Sequence, residues 1–218
     1  MKFFLAFALI FVILLANDAL SIPLLDKHTK KNDICDHQKK NKGKQIPGGS
    51  CSTTIQGEIP SIDHMVSTII ISPDNNKVLS ANKPFNIVLL TDNLETGHFS
   101  DPDTQYYAEP QTLDKNGLIK GHVHVSIQSI NGKKPPNAKD FVFFKGINNA
   151  ADKDGKLSAT VDKGLNPGHY RICTIGSSFA HQPLLMPVAK RGSTDDCIRV
   201  TVKNGKSKRA MSGGFNLN

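Results

Sequence analysis

Hydrophobic residues of this chain fall into short runs that are rich in β-branched side chains and often alternate with polar residues. Groups of Gly, Pro, Asn and Asp separate the runs, and no stretch of helical length repeats its apolar residues every 3.6 positions. The pattern therefore predicts β-strands. They are expected at VSTIIIS (66–72), FNIVLLT (85–91), LIKGHVHVSIQSI (118–130), FVFF (141–144), KLSATV (156–161), HYRICTIG (169–176) and CIRVTV (197–202).

The order of these segments predicts an all-β fold. Strands that follow one another without interposed helices favour antiparallel sheets over a parallel α/β arrangement. We therefore expect an antiparallel immunoglobulin-like β-sandwich over residues 59–202. The segment LNPGHYRIC resembles the tyrosine corner of such sandwiches, but Cys173 follows Tyr170 by three residues. These two side chains should face opposite sides of one strand, so the inter-sheet disulfide of immunoglobulin domains is not expected.

An apolar run at the amino terminus predicts export. Lys2 precedes the apolar segment 3–16, and Ala19-Leu20-Ser21 follows it as a small-residue cleavage site. This order is typical of a secretory signal peptide, here residues 1–21. The run is short for a stable membrane span, and no second run of about 20 apolar residues follows. We expect a secreted protein without a membrane span; a retained signal anchor is the disfavoured alternative.

The four cysteines of the chain become informative once export is expected. An oxidising compartment favours disulfides over free thiols. Sequence alone allows three pairings of four cysteines. Their spacing favours two local loops, one from Cys35 to Cys51 and one from Cys173 to Cys197. No two cysteines are separated by the two to four residues of a zinc knuckle, so a cysteine zinc site is not indicated.

The net charge of +8 is not spread evenly along the chain. Residues 27–46 are rich in lysine and poor in large apolar side chains, so they cannot bury enough surface to offset their ordering entropy. We expect a flexible Lys-rich arm over 22–58 and a disordered basic tail over 203–218. No aromatic residues interleave with the lysines, so sequence-specific nucleic-acid binding is not expected. The arm is either a solubilising segment or a nuclear-import-like signal, formed by Lys30, Lys31, Lys39, Lys40, Lys42 and Lys44.

Histidines offer the clearest candidate chemistry. In GHVHV, His122 and His124 are two positions apart in a predicted strand, so both side chains face one side of the sheet. Two such imidazoles can share a metal ion if a third ligand approaches, and His181 or His98, or less readily His169, could supply it. The alternative is that the pair lines a polar, ligand-facing surface and forms hydrogen bonds. We favour that alternative and assign no cofactor, because the sequence fixes no third ligand in space.

Catalytic motifs are missing from the sequence. It contains no G-x-S-x-G elbow, no H-E-x-x-H and no Gly-rich phosphate loop. Carboxylate pairs such as Asp195 and Asp196 fall in turn-like surroundings, where capping and solvation are the usual roles. We therefore predict a protein that is not an enzyme and assign no catalytic residue. A metal-dependent enzyme built on His122, His124 and His181 is the alternative.

Two motifs carry a family resemblance. The blocks G-x-I-x-G-H-x-H-V at 117–125 and H-Q-P-x-x-x-P-V-A at 181–189 resemble those of a group of secreted fungal proteins, and the similarity covers about residues 60–202. The Lys-rich arm after the signal and the cysteine-bearing C-terminal domain are similar to the rust transferred proteins. Those proteins are secreted by rust fungi from haustoria and are found in infected host cells.

This resemblance implies a function but does not identify the residues that carry it out. It implies a β-rich domain likened to cysteine-protease inhibitors, filament formation, and movement into the host cell and its nucleus. We therefore expect a non-catalytic effector that acts at or in host cells on an unknown host protein, with a cysteine protease as one candidate. The inhibitor loops N-P-T-T-G and Q-x-V-x-G are absent, so no inhibitory residue is assigned.

Self-association is the structural alternative to an effector role. Segments 66–72 and 85–90 are uncharged and strongly β-prone, and such segments pair edge to edge when they are exposed. A filament-forming protein of the fungal wall or of the host–fungus matrix would use them in this way. As buried core strands, they would have no such role.

Overall fold

The computed structural model describes residues 35–36 and 38–205, which contain β-strands and one short 3₁₀ turn but no α-helix. The predicted signal peptide, the lysines at 30 and 31 and most of the predicted basic tail lie outside the described residues. The all-β prediction is confirmed for the described part. Its strands are β1 (Ser67–Ser72), β2 (Val78–Ser80), β3 (Phe85–Asp92), β4 (Leu94–Glu95), β5 (Ile119–Ser129), β6 (Phe143–Ile147), β7 (Lys156–Val161), β8 (Gly168–Ser178) and β9 (Cys197–Lys203).

The strands form two sheets. A three-stranded antiparallel sheet has the order β1-β3-β7. A six-stranded sheet has the order β2-β9-β8-β5-β4, and β6 also pairs with β5. The long pairings of this sheet, β5 with β6 and β8, and β8 with β9, are antiparallel. Only the short β2 and β4 pair in parallel with their neighbours. An immunoglobulin-like topology stays a prediction.

Both sheets contribute to one hydrophobic core. In β7, burial alternates strictly: Leu157, Ala159 and Val161 are buried and the residues between them are exposed. β3 contributes Ile87 and Leu89, which are both fully buried. Burying one such aliphatic side chain stabilises the folded state by about 1.5–3 kcal/mol. The period of two that predicted these strands therefore also identifies the residues that hold the sheets together.

Strand β5 departs from this alternation because it is buried on both faces. Its core face carries Val123, Val125 and Ile127, which have no exposed surface. On its other face His122 is also fully buried and His124 is 9% exposed. Irregular chain covers that face. The backbone N–H groups of residues 98, 100 and 107 donate to the carbonyl oxygens of residues 121, 179 and 180, respectively.

The amino-terminal part of the described chain packs against this irregular layer. Asn41 Nδ2 donates to the carbonyl oxygen of Tyr106 at 2.8 Å, and the Tyr106 N–H donates to the carbonyl oxygen of Gly43. The Thr54 hydroxyl donates to the carbonyl oxygen of Tyr107. Residues 38–58 are thus attached to the domain, which differs from the flexible arm predicted over 22–58. The prediction weighed only side-chain hydrophobicity, whereas backbone hydrogen bonds and a disulfide hold this segment.

The lysines of this segment remain on the surface. Those at 39, 40, 42 and 44 are all exposed, so they present positive charge to solvent from a fixed backbone. Lys42 itself has a φ of 47°, in the left-handed region that non-glycine residues seldom adopt. The charged surface predicted here is therefore present, although its backbone is ordered by the domain.

The structure contains both disulfides that the spacing favoured. Cys35 pairs with Cys51, and Cys173 pairs with Cys197 across the neighbouring strands β8 and β9. The second bridge lies within one sheet, which agrees with the prediction that the inter-sheet disulfide of immunoglobulin domains is absent. Tyr170 is buried on the opposite face of β8, and its hydroxyl donates to the Asn166 carbonyl oxygen at 2.9 Å. In the chain-entropy model, each loop contributes about 3 kcal/mol to stability.

Of the two β-prone segments considered for self-association, one lies at a sheet edge. β3 is the central strand of its sheet, but β1 is an edge strand. Ile69 and Ile71 of β1 are 55% and 38% exposed. The Ile70 N–H of this strand donates to Asp196 Oδ2 at 2.8 Å. A carboxylate from the connection before β9 therefore occupies one backbone donor of β1.

Within the described residues, the structure has no helix of the length and hydrophobicity needed to cross a membrane.

Candidate metal centre

Three histidines converge on the covered face of β5. His122 and His124 project from β5, and His181 follows the end of β8. One candidate ligand nitrogen from each residue lies within 4.8 Å of the other two. The ring centroid of His122 is 4.7 Å from that of His124 and 4.6 Å from that of His181. His181 has a φ of 69°, an uncommon backbone conformation for a non-glycine residue. The structure thus brings together the three histidines named from the sequence.

Main-chain carbonyl groups orient two of the rings. His122 Nδ1 lies 3.0 Å from the His98 carbonyl oxygen, and His124 Nδ1 lies 3.4 Å from the Ile175 carbonyl oxygen. A neutral imidazole has one N–H, so an Nδ1–H that faces a carbonyl leaves Nε2 with a free lone pair. Histidine ligands of metal ions are commonly fixed by such a carbonyl contact on their other nitrogen.

Two imidazole nitrogens in this cluster have no hydrogen-bond partner. Among the described residues, neither His122 Nε2 nor His181 Nδ1 finds one, although both atoms are buried. A buried polar atom without a partner costs about 1–3 kcal/mol, so such atoms are rare in folded proteins. A metal ion bound between the rings would give these nitrogens a partner. The hydrogen-bonding role favoured from the sequence agrees with the carbonyl contacts of His122 and His124, and it stays a prediction for the other nitrogens.

The three rings are held in the neutral form. Burial lowers the pKa of His122 to about 4, with a smaller contribution from the neighbouring His124 and His181. Burial and the nearby His181 likewise lower the pKa of His124 to about 4. Burial also lowers the pKa of His181. Because a metal ion binds only the neutral imidazole, these lowered pKa values leave the nitrogens available near neutral pH.

The size of the cluster fits a transition-metal ion. A triangle with sides of 4.8 Å places its centre about 2.8 Å from each corner, and zinc–nitrogen bonds are about 2.0–2.1 Å long. Each nitrogen would therefore move inward by no more than about 0.8 Å, which small side-chain rotations supply. Imidazole suits zinc and copper, whereas magnesium and calcium prefer oxygen ligands. Three protein ligands leave a fourth zinc position open.

A cleft of about 570 Å³ opens beside the histidines. His124 and His181 form part of its wall, whereas the fully buried His122 lies behind them. The Phe144 ring centroid lies 5.2 Å from that of His124, and the Tyr106 centroid lies 6.1 Å from that of His181. The immediate surroundings of the accessible histidines are therefore aromatic.

Polar groups in the cleft wall are mostly engaged. Asp195 Oδ1 accepts hydrogen bonds from the Gly176 N–H at 2.7 Å and from the Thr174 hydroxyl at 3.1 Å. Its Oδ2 accepts from the Thr194 hydroxyl at 3.3 Å. Both oxygens thus have structural partners. The Tyr106 ring stacks on Tyr107, and burial, reinforced by the Tyr107 side chain, raises the pKa of Tyr106 to about 12, so its phenol stays neutral.

The other histidines considered as third ligands lie outside the cluster. The His98 ring faces Glu95, with Nε2 3.8 Å from Oε1, and only the His98 carbonyl group contacts His122. His169 lies near the opposite end of β8, where its Nδ1 is 3.2 Å from the Thr201 hydroxyl. His181 is therefore the histidine that completes the set.

The aromatic residues of the cleft were not identified from the sequence. Tyr106 and Tyr107 lie in an irregular segment. Phe144 lies in a predicted strand, but the sequence of that strand does not indicate that its ring contacts His124. One signal was available, because the chain has only three tyrosines and two of them are adjacent. A rare aromatic residue that is repeated in a loop is a reasonable candidate for a binding surface.

Residues 68–203 match the family described as the CLU5d N-terminal domain. The chain belongs to this family. A relative named Pathogenicity cluster 5 protein d, from Colletotrichum graminicola (strain M1.001 / M2 / FGSC 10212), is 48% identical over 174 residues, which are 78% of this chain and 36% of the relative. The chain thus spans about a third of the length of that relative. The CLU5d match supports a fungal pathogenicity-cluster family, and the similarity to rust transferred proteins stays a prediction.

Solved structures are only distantly similar. The fibronectin(III)-like modules of Clostridium thermocellum CbhA match with a TM-score of 0.30 and 12% identity, over 63% of this chain and 46% of that one. A Listeria innocua β-glucosidase in complex with glucose matches with a TM-score of 0.28 and 10% identity, over 64% of this chain and 16% of that one. Likeness at this level supports no argument about fold or activity.

Proposed function

We propose that the protein is a secreted fungal virulence protein that binds a divalent transition-metal ion through His122, His124 and His181. The observation that carries the metal proposal is the pair of buried nitrogens without hydrogen-bond partners in one three-histidine cluster. The virulence role is supported by the name of the pathogenicity-cluster relative. The two disulfides fit an oxidising compartment, and thus secretion.

Metal titration tests this proposal directly. The full-length mature protein is stripped with a chelator and titrated with Zn²⁺ and with Cu²⁺, and the stoichiometry is measured by calorimetry and elemental analysis. We expect one tightly bound ion per chain in the wild type, and binding weakened by more than about 100-fold in His124→Ala or His181→Ala. His98→Ala is the matched control, because it keeps the carbonyl group that orients His122 and removes only a ring outside the cluster. Neither ion binding the wild type, or equal binding by His124→Ala, would contradict the proposal.

We propose binding rather than catalysis at this site. All four cysteines of the chain form disulfides, and both oxygens of Asp195, a carboxylate in the cleft wall, have hydrogen-bond donors. Among the residues that line the cleft there is thus no thiol, and the carboxylate of Asp195 is engaged in hydrogen bonds.

A metal-dependent enzyme is the second candidate. It is supported by the open fourth position, because catalytic zinc sites typically combine three protein ligands with one exchangeable position. Hydrolysis of 4-nitrophenyl acetate by the zinc-loaded protein separates the two candidates. Turnover that His124→Ala abolishes and His98→Ala preserves would favour the enzyme, whereas no turnover above that of free zinc favours binding alone.

The finer predictions from the family resemblance remain proposals. Action in host cells is tested by locating a tagged copy in infected tissue. Protease inhibition predicts that stoichiometric amounts of the protein reduce the activity of a papain-type protease, and unchanged activity would remove that proposal. An immunoglobulin-like strand arrangement belongs with these predictions, and an experimental structure tests it.

Self-association is supported by the position of β1. This uncharged strand lies at a sheet edge and exposes Ile69 and Ile71. Filament formation predicts that the purified protein sediments and binds thioflavin. A protein that stays monomeric at high concentration would speak against the filament alternative.

A further inference from the structure

Two residues of the proposed metal centre also line the adjoining cleft, and this restricts which ligands the cleft can bind. His124 and His181 line the cleft, while His122 lies fully buried behind them. An ion held by all three rings would therefore have the buried His122 on one side, and it would be reached from the cleft past His124 and His181. The inference that follows rests on the proposed metal centre.

The fourth ligand has to come from outside the described chain. In the part of the chain that the structure describes, the grouped candidate ligands at this site are the three histidines. Asp195 lines the same cleft but is not part of this group, and its Oδ1 accepts hydrogen bonds from Gly176 and Thr174. Three neutral imidazoles leave the double positive charge of the ion uncompensated, whereas the charges of Arg191 and Asp195 in the cleft wall offset each other. An anionic donor atom is therefore favoured over a neutral one.

The body of the ligand must fit an aromatic and aliphatic wall. Phe144 and Tyr106 lie next to the two accessible histidines. Ile175, which is 43% exposed, and Leu184 extend the apolar surface. The volume of about 570 Å³ lies in the range of small-molecule sites. A flat aromatic ring would contact these side chains fully, whereas sugar hydroxyl groups placed against Phe144 and Ile175 would lose hydrogen bonds to water.

We infer that the cleft binds a small aromatic compound that carries an anionic oxygen donor. The oxygen, from a phenolate or an aromatic carboxylate, occupies the open metal position, and the ring packs between Phe144 and Tyr106. Phenolates and benzoates share this chemistry, so separate probes distinguish them.

Two probes and one pair of matched variants test the inference. The zinc-loaded full-length mature protein is titrated with 4-nitrocatechol, followed by its absorption spectrum, and with benzoate, followed by calorimetry. We expect one of the probes to bind with unit stoichiometry, and the zinc-free protein to bind at least tenfold more weakly. Phe144→Ala should weaken probe binding by about tenfold, the loss of one aromatic contact and its buried surface, while zinc stoichiometry is unchanged.

Phe141→Ala is the control for Phe144→Ala. Phe141 is 56% exposed and Phe144 48% exposed, so both variants remove a similar surface ring, but Phe141 is not among the residues that line the cleft. Phe141→Ala should bind the probe like the wild type. The two rings also contact each other, with centroids 5.8 Å apart. Equal losses in both variants would therefore show a general effect of this aromatic pair and overturn the specific contact of Phe144 with the ligand.

Zinc binding is measured separately, so failure of this inference can be told from failure of the metal proposal. Unit zinc stoichiometry with neither probe bound would overturn the inference and leave the metal centre intact. Equal probe binding with and without zinc would also overturn it. Absence of zinc binding would overturn both. If methyl glucoside binds the zinc-loaded protein and the aromatic probes do not, the cleft is a carbohydrate site instead.

Discussion

The two ends of the covered face of β5 differ in whether their buried polar groups have hydrogen-bond partners. Near the carboxyl end, Gln128 is 7% exposed and its amide is fully used. Its Nε2 donates to the carbonyl oxygens of Asn137 and Asp140, and its Oε1 accepts two hydrogen bonds from Arg171. Near the amino end, the histidine cluster leaves buried nitrogens without partners.

This difference distinguishes a structural role for Gln128 from a ligand-binding role for the histidines of the same strand. A satisfied buried network such as that of Gln128 stabilises a unique packing and needs no ligand. The histidine end is similarly buried and polar, but it contains two of the three buried side-chain atoms without a partner among the described residues, the third being Ser100 Oγ. A ligand-binding site needs polar atoms that the protein itself leaves without partners, and these nitrogens next to a cleft meet that requirement.

The largest expected difference between the two ends is in metal affinity. His181→Ala should weaken zinc binding by more than about 100-fold, since losing even an outer partner of a ligand costs about 10–100-fold. Gln128→Leu should leave the zinc affinity within about threefold, because that residue lies outside the cluster. Competition with a chromophoric chelator measures both affinities. Similar losses in the two variants would remove the functional distinction.

Stability of the metal-free protein should show the reverse pattern. Gln128→Leu leaves Arg171 and two carbonyl groups unpaired and should lower the free energy of unfolding by about 1–3 kcal/mol. The hydrogen bonds that His124→Leu removes are long, 3.4 Å to the Ile175 carbonyl oxygen and 3.5 Å to the Ser177 hydroxyl, and leucine still packs against Phe144, so the change should cost less than about 1 kcal/mol. Urea unfolding with chelator present measures both. A larger loss in His124→Leu would contradict this prediction.

Acid should destabilise the histidine end selectively. The pKa values of His122 and His124 are lowered by burial to about 4, whereas an unfolded histidine titrates near 6.5. The unfolded chain therefore binds protons first as the pH falls below about 6.5, and stability declines until the folded values are reached. Between pH 6.5 and 5.5, each histidine should cost about 1 kcal/mol.

The pH prediction is checked by urea unfolding of the metal-free protein at both pH values. A double variant with His122→Leu and His124→Leu should lose most of the dependence, and Gln128→Leu should keep it. If the double variant shows the wild-type slope, then other groups govern the acid response.

The smallest expected effect concerns a polar contact on the other sheet. Asp196→Ala removes the acceptor of the Ile70 N–H and should cost about 1 kcal/mol. It also frees a donor on the β1 edge, so we expect more self-association by sedimentation. Asp196→Asn is the control because its amide oxygen still accepts the bond. A monomeric Asp196→Ala protein would indicate that this contact does not protect the edge.

Strand prediction succeeded where the sequence alternates over enough residues. β7 buries every second side chain and β3 buries Ile87 and Leu89, and their predicted bounds agree with the observed ones to within one residue. β2 and β4 were missed because three and two residues are too few to show a period. Residues 38–58 were expected to be flexible because of their Lys-rich, apolar-poor composition. Composition does not describe the hydrogen bonds and the disulfide that attach this segment to the domain.

The candidate site could be predicted only in part. A period of two places His122 and His124 on one face of any strand, so their proximity follows from the sequence. His181 reaches them through the turn after β8, and its distance to β5 depends on how β8 and β5 pair. The unpartnered nitrogens are a property of the packed structure, which explains why the sequence favoured a hydrogen-bonding role.

The bridge between Cys35 and Cys51 determines in which cellular compartments the cleft keeps its structure. It closes the segment from which Asn41 and Gly43 hold both backbone groups of Tyr106, a residue of the cleft wall. Breaking this bridge in a reducing cytosol would loosen that segment and, with it, the tyrosine. Thiol chemistry of the surroundings would thereby decide whether the cleft keeps its shape.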